Sequence, residues 1–286
     1  MTLGEAFELY LRAEIIAGGL SNKTAETYKY SAKLAINYFG NVNICDITAE
    51  NVRDYYQHLM GWQAPDTARG NICCLRAVVR LCRRYGHRCL DPDFIKLPKR
   101  QKREIKYLTD SEVEAFIGVL AKKRRGYSAH NRLRNVAMVE TLWATGLRVG
   151  ELCKLNRNTI RGRQFSVVGK SKAPRVCFIN RRAERAIEKY LAVRRDNNMA
   201  LFVSQSGRRI TPHSVREAFR QGCRWSKFEN IHPHTIRHSF ATKMLEKEVD
   251  IRYIADLMGH ESLDTTKHYT HYINPRLRKI YEKAMG

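Results

Sequence analysis

Apolar residues recur every three or four positions through most of this 286-residue chain, the period of helices that bury one face. In "TLGEAFELYLRAEIIAG" Leu3, Phe7, Tyr10, Leu11 and Ile15 fall near one face, and Gly18-Gly19 ends the pattern. Tyr28, Ala32, Ala35, Ile36 and Phe39 form a second stripe, which Ser21 or Thr24 can cap and Gly40 stops. Asp46, Thr48 and Asn51 offer caps for a third helix, "AENVRDYYQHLMGW". In a fourth, "TARGNICCLRAVVRLCRRYG", the stripe is Ile72, Leu75, Val79 and Cys82, with Arg69, Arg76, Arg80, Arg83 and Arg84 on or beside the other face.

Periodicity then lapses. Residues 96–106 combine a proline with a run of lysines and arginines and few apolar positions, which marks a basic linker between a helical domain, 1–95, and a second domain, 107–286. The second domain opens on a helix capped by Thr109 or Asp110, followed by "NRLRNVAMVETLWATG". Two short β-rich runs, "RQFSVVG" and "APRVCFIN", flank Gly169-Lys170-Ser171-Lys172 and predict a hairpin. Helical patterns return in "RRAERAIEKYLAVRRD", "TPHSVREAFRQGCRW", "HTIRHSFATKMLEK", "DIRYIADLMGH" and the closing "RLRKIYEKAMG". The expected fold is mainly α, with a small β-hairpin in the second of two domains.

Charge narrows the partner. The chain carries a formal +24, of which residues 1–100 hold +4 and residues 101–286 hold +20, so a polyanion is expected and nucleic acid is the simplest one. No apolar run reaches the ~20 residues of a membrane span, and the first residues carry acids where a secretory signal would carry lysines. A cytoplasmic, nucleoid-associated protein is expected. The eight cysteines contain no C-x-x-C pair, which favours buried free thiols over a zinc site or a disulfide framework. The arginines of the fourth helix fit either a solvated face or a surface laid against DNA.

Four short segments place polar residues where helix or strand patterning does not need them. In "ATGLRVGEL" Arg148 lies between Leu147 and Val149, snorkelling or fixed on an anion, with Glu151 three residues on to orient it. The hairpin tip holds Lys170, either solvated or aimed at a ligand. In "HPHTIRHSFA" His234 and Arg237 share a helical face, and Pro233 places His234 near a helix N-terminus. The histidines His232, His234 and His238 match no zinc spacing, so no metal is expected. The last segment, "GHESLDTTKHYTHY", sets Tyr269 and Tyr272 three residues apart. A phenol with a pKa of ~10 needs a base or a positive field before it can attack. Helical geometry does not separate the two tyrosines. Arginines and histidines without an acidic cluster for magnesium suit a phosphoryl transition state that is neutralised by side-chain cations.

Together these segments resemble the boxes of the tyrosine recombinases, and within that family the compact Xer type. "ATGLRVGEL" resembles the first arginine box, with Gly150 where a serine is usual. Lys170 resembles the hairpin lysine, with Lys172 close by. "PHTIRHSFAT" is similar to the His-x-x-Arg box. "LMGHESLDTTKHYTH" is similar to the final box, in which the nucleophile follows the Gly-His pair by nine residues, and this selects Tyr269 over Tyr272.

The resemblance implies a two-domain clamp on double-stranded DNA with inverted half-sites, and strand exchange through a 3′-phosphotyrosyl link without metal, ATP or other cofactor. Tyr269 would be the nucleophile. Arg148, Arg237 and His260 would stabilise the phosphorane, Lys170 would protonate the leaving 5′-oxygen, and His234 would assist proton transfer. Arg76, Arg80, Arg83, Arg84, Lys99, Arg100 and Lys172 are the expected further DNA contacts. The family also implies four protomers on two duplexes, joined through a C-terminal helix whose stripe here is Leu277, Ile280, Tyr281 and Ala284. A partner recombinase or accessory protein fits the same pattern. No arm-binding domain precedes the first helices, which points to dimer resolution, plasmid resolution or a simple mobile element. A type IB topoisomerase, or a DNA-binding protein with little catalysis, would share part of the pattern.

Overall fold

In the computed structural model the described residues are 1–14, 22–97, 106–160, 163–169 and 174–259. The chain divides into two units, Met1–Arg103 and Glu104–Gly286. Among the described residues there are eleven α-helices and one two-stranded antiparallel sheet. None of these helices is long and apolar enough to cross a membrane.

The first unit holds α1 (Leu3–Arg12), α2 (Asn22–Phe39), α3 (Ala49–Met60) and α4 (Pro65–Arg84). Its helix starts are set locally. Thr2 and Glu5 form a capping box on α1, and Thr48 and Asn51 form another on α3, so Thr48 is the cap among the three candidates there. Pro65 occupies the first turn of α4, where no N–H is needed. The predicted stripe of α4 is the spine of the core: Ile72, Leu75, Val79 and Cys82 are buried against Leu3 and Phe7 of α1 and Val52, Tyr55 and Leu59 of α3. Inside this core Ser31 donates to Asn71 at 2.7 Å.

The second unit holds α5 (Asp110–Ala121), α6 (Ala129–Thr145), α7 (Val149–Lys154), β1 (Gln164–Val168), β2 (Pro174–Phe178), α8 (Arg181–Ala192), α9 (Pro212–Arg224), α10 (Pro233–Glu246) and α11 (Ile251–Met258). Thr109 rather than Asp110 caps α5. The second half of α6 is buried on every side, from Ala137 to Trp143, because α5, α8 and α10 all pack on it. Its hydroxyls bond back into their own helix, Thr141 to the Ala137 carbonyl at 2.7 Å and Thr145 to that of Thr141 at 2.6 Å. The helix stops at Gly146, whose φ of +61° is left-handed. A Cβ there would stand 2.5 Å from the Phe240 ring of α10, so the turn requires glycine on two counts.

The hairpin forms as expected, pairing Val167 with Arg175 and Phe165 with Cys177. One inward position breaks the usual apolar pattern. Phe165, Val167 and Cys177 turn inward, but so does Arg175, while Val168, Val176 and Phe178 stay largely exposed outside. The six-residue helix α7, which begins one residue after Arg148, is an element that the apolar pattern did not predict, being too short for a period to register.

Candidate active site

Helix α11 ends at Gly259, again left-handed at φ +62°. The last carbonyls of a helix lack intrahelical partners and carry the negative end of its dipole. Here three arginines from three separate elements close on them. Arg148, the residue that caps the start of α7, donates through Nη2 to the Gly259 carbonyl at 2.9 Å. Arg237 of α10 donates through Nη2 to the Met258 carbonyl at 2.7 Å and through Nη1 to the Gly146 carbonyl at 2.5 Å. Arg175 of β2 donates through Nε to the Leu257 carbonyl at 3.0 Å. The two left-handed glycines thus end two helices at one place, and Arg237 bridges them.

Glu151 of α7 lies beneath this cluster and is 7% exposed. Arg175 meets both its oxygens, Nη1 to Oε1 at 3.0 Å and Nη2 to Oε2 at 2.7 Å. Arg148 adds Nη1 to Oε1 at 3.2 Å and its backbone N–H to Oε2 at 2.8 Å. Burial alone would push this carboxyl up. The hydrogen bonds from Arg175 and the Arg148 backbone, with the two guanidinium charges, hold it below its ordinary value, so it stays ionised at neutral pH. The expected role of Glu151 in orienting Arg148 therefore has a geometry.

The guanidiniums differ in access. Arg237 is 3% exposed. The side chain of Arg175 is 10% exposed and that of Arg148 is 32% exposed. His234 stands at a solvent-facing position in the first turn of α10, after Pro233. Partial burial, then the charges of Arg237, His232, Arg216 and Arg148, lower its pKa and keep the imidazole neutral near pH 7. A neutral imidazole beside arginines can accept a proton, while the arginines supply the field that an anion needs.

Of the six residues expected to act, the structure brings Arg148, His234 and Arg237 together. Lys170, His260 and Tyr269 lie outside the described residues, as do Lys99, Arg100, Lys172 and the expected tail helix. The residues that precede two of them in the chain are described. A Cβ on Gly169 would stand 3.4 Å from both Glu151 Oε1 and Arg175 Nη1, and one on Gly259 would stand 2.8 Å from Arg175 Nη1. The chain thus enters the hairpin turn and leaves α11 against the same ion cluster. No three His, Cys, Asp or Glu side chains among the described residues are grouped to hold a metal.

The α4 arginines are uneven. Arg80, Arg83 and Arg84 are exposed, although Arg83 lies 3.4 Å from Asp91. Arg76 is partly buried and donates to Asp93 at 2.9 Å, which ties α4 to the following turn. The residue that sequence reasoning missed is Arg175. Its signal was present in "APRVCFIN": an arginine two positions before a cysteine sits on the strand face opposite Val176 and Phe178, and one of those faces has to be buried.

Comparison with known proteins agrees with this architecture. A model described as the phage integrase family matches residues 106–274, and one described as a phage integrase N-terminal SAM-like domain matches residues 2–60. The tyrosine recombinase XerD of Halalkalibacterium halodurans is 31% identical over 295 residues, 98% of this chain and 97% of that protein. The tyrosine recombinase XerC of Pelobacter propionicus is 33% identical over 291 residues, 98% and 93% of the two chains. Among solved structures, a Tn1549 transposon integrase in complex with transposon right end DNA superposes with a TM-score of 0.81 at 17% identity, covering 100% of both chains. The XerH site-specific recombinase bound to palindromic difH substrate gives 0.73 at 20% identity, over 90% of this chain and 78% of that one. The family match and these relatives make the chain a strand-breaking and rejoining enzyme of site-specific recombination. The chain belongs to the phage integrase family, as a tyrosine recombinase of the Xer type.

Proposed function

We propose that this recombinase acts on double-stranded DNA with inverted half-sites and that Tyr269 is its nucleophile. The observation that supports this reading is the convergence of Arg148, Arg237 and the Glu151–Arg175 pair on the end of α11, ten residues before Tyr269 in the chain. The phenolic oxygen attacks the scissile phosphorus, forms a 3′-phosphotyrosyl ester and expels the 5′-oxygen. Arg148 and Arg237, joined by His260, neutralise the two non-bridging oxygens as charge builds on them. Lys170 gives its proton to the leaving oxygen, and neutral His234 takes the proton of the phenol. A 5′-hydroxyl from the partner duplex then reverses these steps, so phosphoester energy is conserved and no ATP is consumed.

Exchange between two duplexes needs four protomers. We assign their contact to the tail stripe Leu277, Ile280, Tyr281 and Ala284, too narrow for a core helix and suited to a groove on a neighbour. The exposed Arg80, Arg83 and Arg84, with Lys99, Arg100, Lys172 and partly Arg76, supply phosphate contacts along the duplex. The matched relatives are named recombinases, which supports exchange over topoisomerase-like relaxation.

The test uses a duplex selected by the purified protein from random sequence and nicked beside the scissile phosphate, so that the released fragment diffuses away. Wild-type protein and Tyr272→Phe should accumulate a covalent adduct on denaturing gels, and Tyr269→Phe should form none. An adduct with Tyr269→Phe, or its loss only with Tyr272→Phe, contradicts the assignment.

A further inference from the structure

A buried carboxylate hydrogen-bonded to a phosphate-binding arginine poses a problem of charge. Taken alone, Arg148 and Glu151 form a neutral pair, and the carboxylate competes with any phosphate for the guanidinium. The structure resolves this through Arg175. Its fork covers both Glu151 oxygens at 3.0 and 2.7 Å, leaving the Arg148 guanidinium a single, longer contact with the carboxylate at 3.2 Å. Two guanidiniums against one carboxylate leave one positive charge in the group. The more open member, Arg148, presents that charge outward, since its side chain is 32% exposed and that of Arg175 is 10% exposed.

We propose that Arg175 is a positioning residue for strand cleavage: it neutralises Glu151, so that Glu151 orients Arg148 without taking its charge from the scissile phosphate. The proposal rests on the assignment of Arg148 to that phosphate. Arg175 has a second function in the same geometry. Through Nε on the Leu257 carbonyl it registers β2, which follows the turn with Lys170, against the end of α11, which precedes His260. Glu151 thus connects to all three pieces of the site, and Arg175 is the side chain that makes the connection compatible with anion binding. Arg148 could not fill both roles, since its backbone N–H and one guanidinium nitrogen are already on the carboxylate.

The test is single-turnover adduct formation on the nicked duplex, alongside thermal unfolding and gel-shift binding for each protein. Arg175→Gln should slow adduct formation roughly 100-fold, the scale of losing one transition-state cation, with DNA binding changed far less. Arg175→Lys, which restores the charge but not the fork, should stay within ~10-fold of wild type. The double change Glu151→Gln with Arg175→Gln removes the competing carboxylate and should recover ~10-fold or more over Arg175→Gln alone. A residue that served packing only would give a double variant no faster than the single one. Adduct formation by Arg175→Gln at the wild-type rate, or a double variant as slow as the single one, overturns the proposal. If Arg175→Gln does not fold, the lysine variant and the double variant carry the test: both should cleave, and failure of both in folded protein overturns it. A wild-type protein that forms no adduct overturns the assignment of the reaction itself, and the wild-type lane separates the two failures.

Discussion

Replacing Gly259 with alanine would act on the site through its geometry alone, with no change of charge. The residue has a φ of +62°, and a Cβ would fall 2.8 Å from Arg175 Nη1 and 2.9 Å from its Cδ. An L-residue in the left-handed region costs about 1–2 kcal/mol. The clash adds a further cost, because Arg175 has nowhere easy to go: it is held by two bonds to Glu151 and one to the Leu257 carbonyl. Overpacking of this kind costs about 1–3 kcal/mol, for a total of about 2–5 kcal/mol. In a unit of this size each kcal/mol moves the melting temperature by about 2–4 °C, so Gly259→Ala should melt ~4–20 °C below wild type in a calorimetric scan. If Arg175 yields instead of the backbone, part of the cost moves from stability to chemistry, and adduct formation slows. Gly150→Ala is the matched control: it lies within α7, and a Cβ there meets no atom within 4 Å. That change should be neutral or stabilising by up to ~1 kcal/mol. A Gly259→Ala protein that melts and cleaves like wild type would refute the reasoning.

Two further outcomes follow from other parts of the molecule. Burial first, then the charges of His234, Arg237 and His232, lower the pKa of His238 to about 4. The unfolded chain therefore binds this proton below pH ~6.5, where the folded protein resists it. Stability should fall as pH drops from ~6.5 towards 4, by at most roughly 3 kcal/mol from this group, and His238→Gln should flatten that part of a urea-midpoint profile; an unchanged profile contradicts the assignment. On the DNA side, Arg80→Ala with Arg84→Ala should lower the slope of log K against log salt by ~0.9 for each lost phosphate contact. Arg76→Ala should instead lower thermal stability, since its partner is Asp93; a slope that responds only to Arg76 would reverse the roles.

Much of this was legible in the chain because it is encoded within short stretches. The capping boxes, the α4 stripe and the hairpin each follow from neighbours in sequence, and so does the shared face of His234 and Arg237. What stayed hidden is long-range. Nothing near Leu257, Met258 or Gly259 in the sequence announces that arginines 21 to 111 residues away will bond their carbonyls. The glycine of the Gly-His pair is readable as a motif, but its physical reason, a left-handed turn packed on Arg175, exists only once β2 and α11 meet. Arg175 is hard to read because a lone arginine in a β-rich run resembles an exposed position, whereas the exposed residues of this strand include Val176 and Phe178.

That inward arginine has a consequence for how the hairpin finds its pairing. In an ordinary two-stranded sheet the apolar face selects the register, and a slip by one residue is rejected because it turns that face to water. Here a one-residue slip of β2 would carry Val176 and Phe178 inward and Cys177 outward, which hydrophobicity alone does not oppose. It would also turn Arg175 out to solvent and abandon Glu151 in the interior, a loss of about 3–5 kcal/mol when a buried ion pair is broken. In this hairpin the ion pair opposes a slip that the apolar residues of β2 alone do not. The Glu151–Arg175 ion pair therefore also favours the register in which Val167 pairs with Arg175.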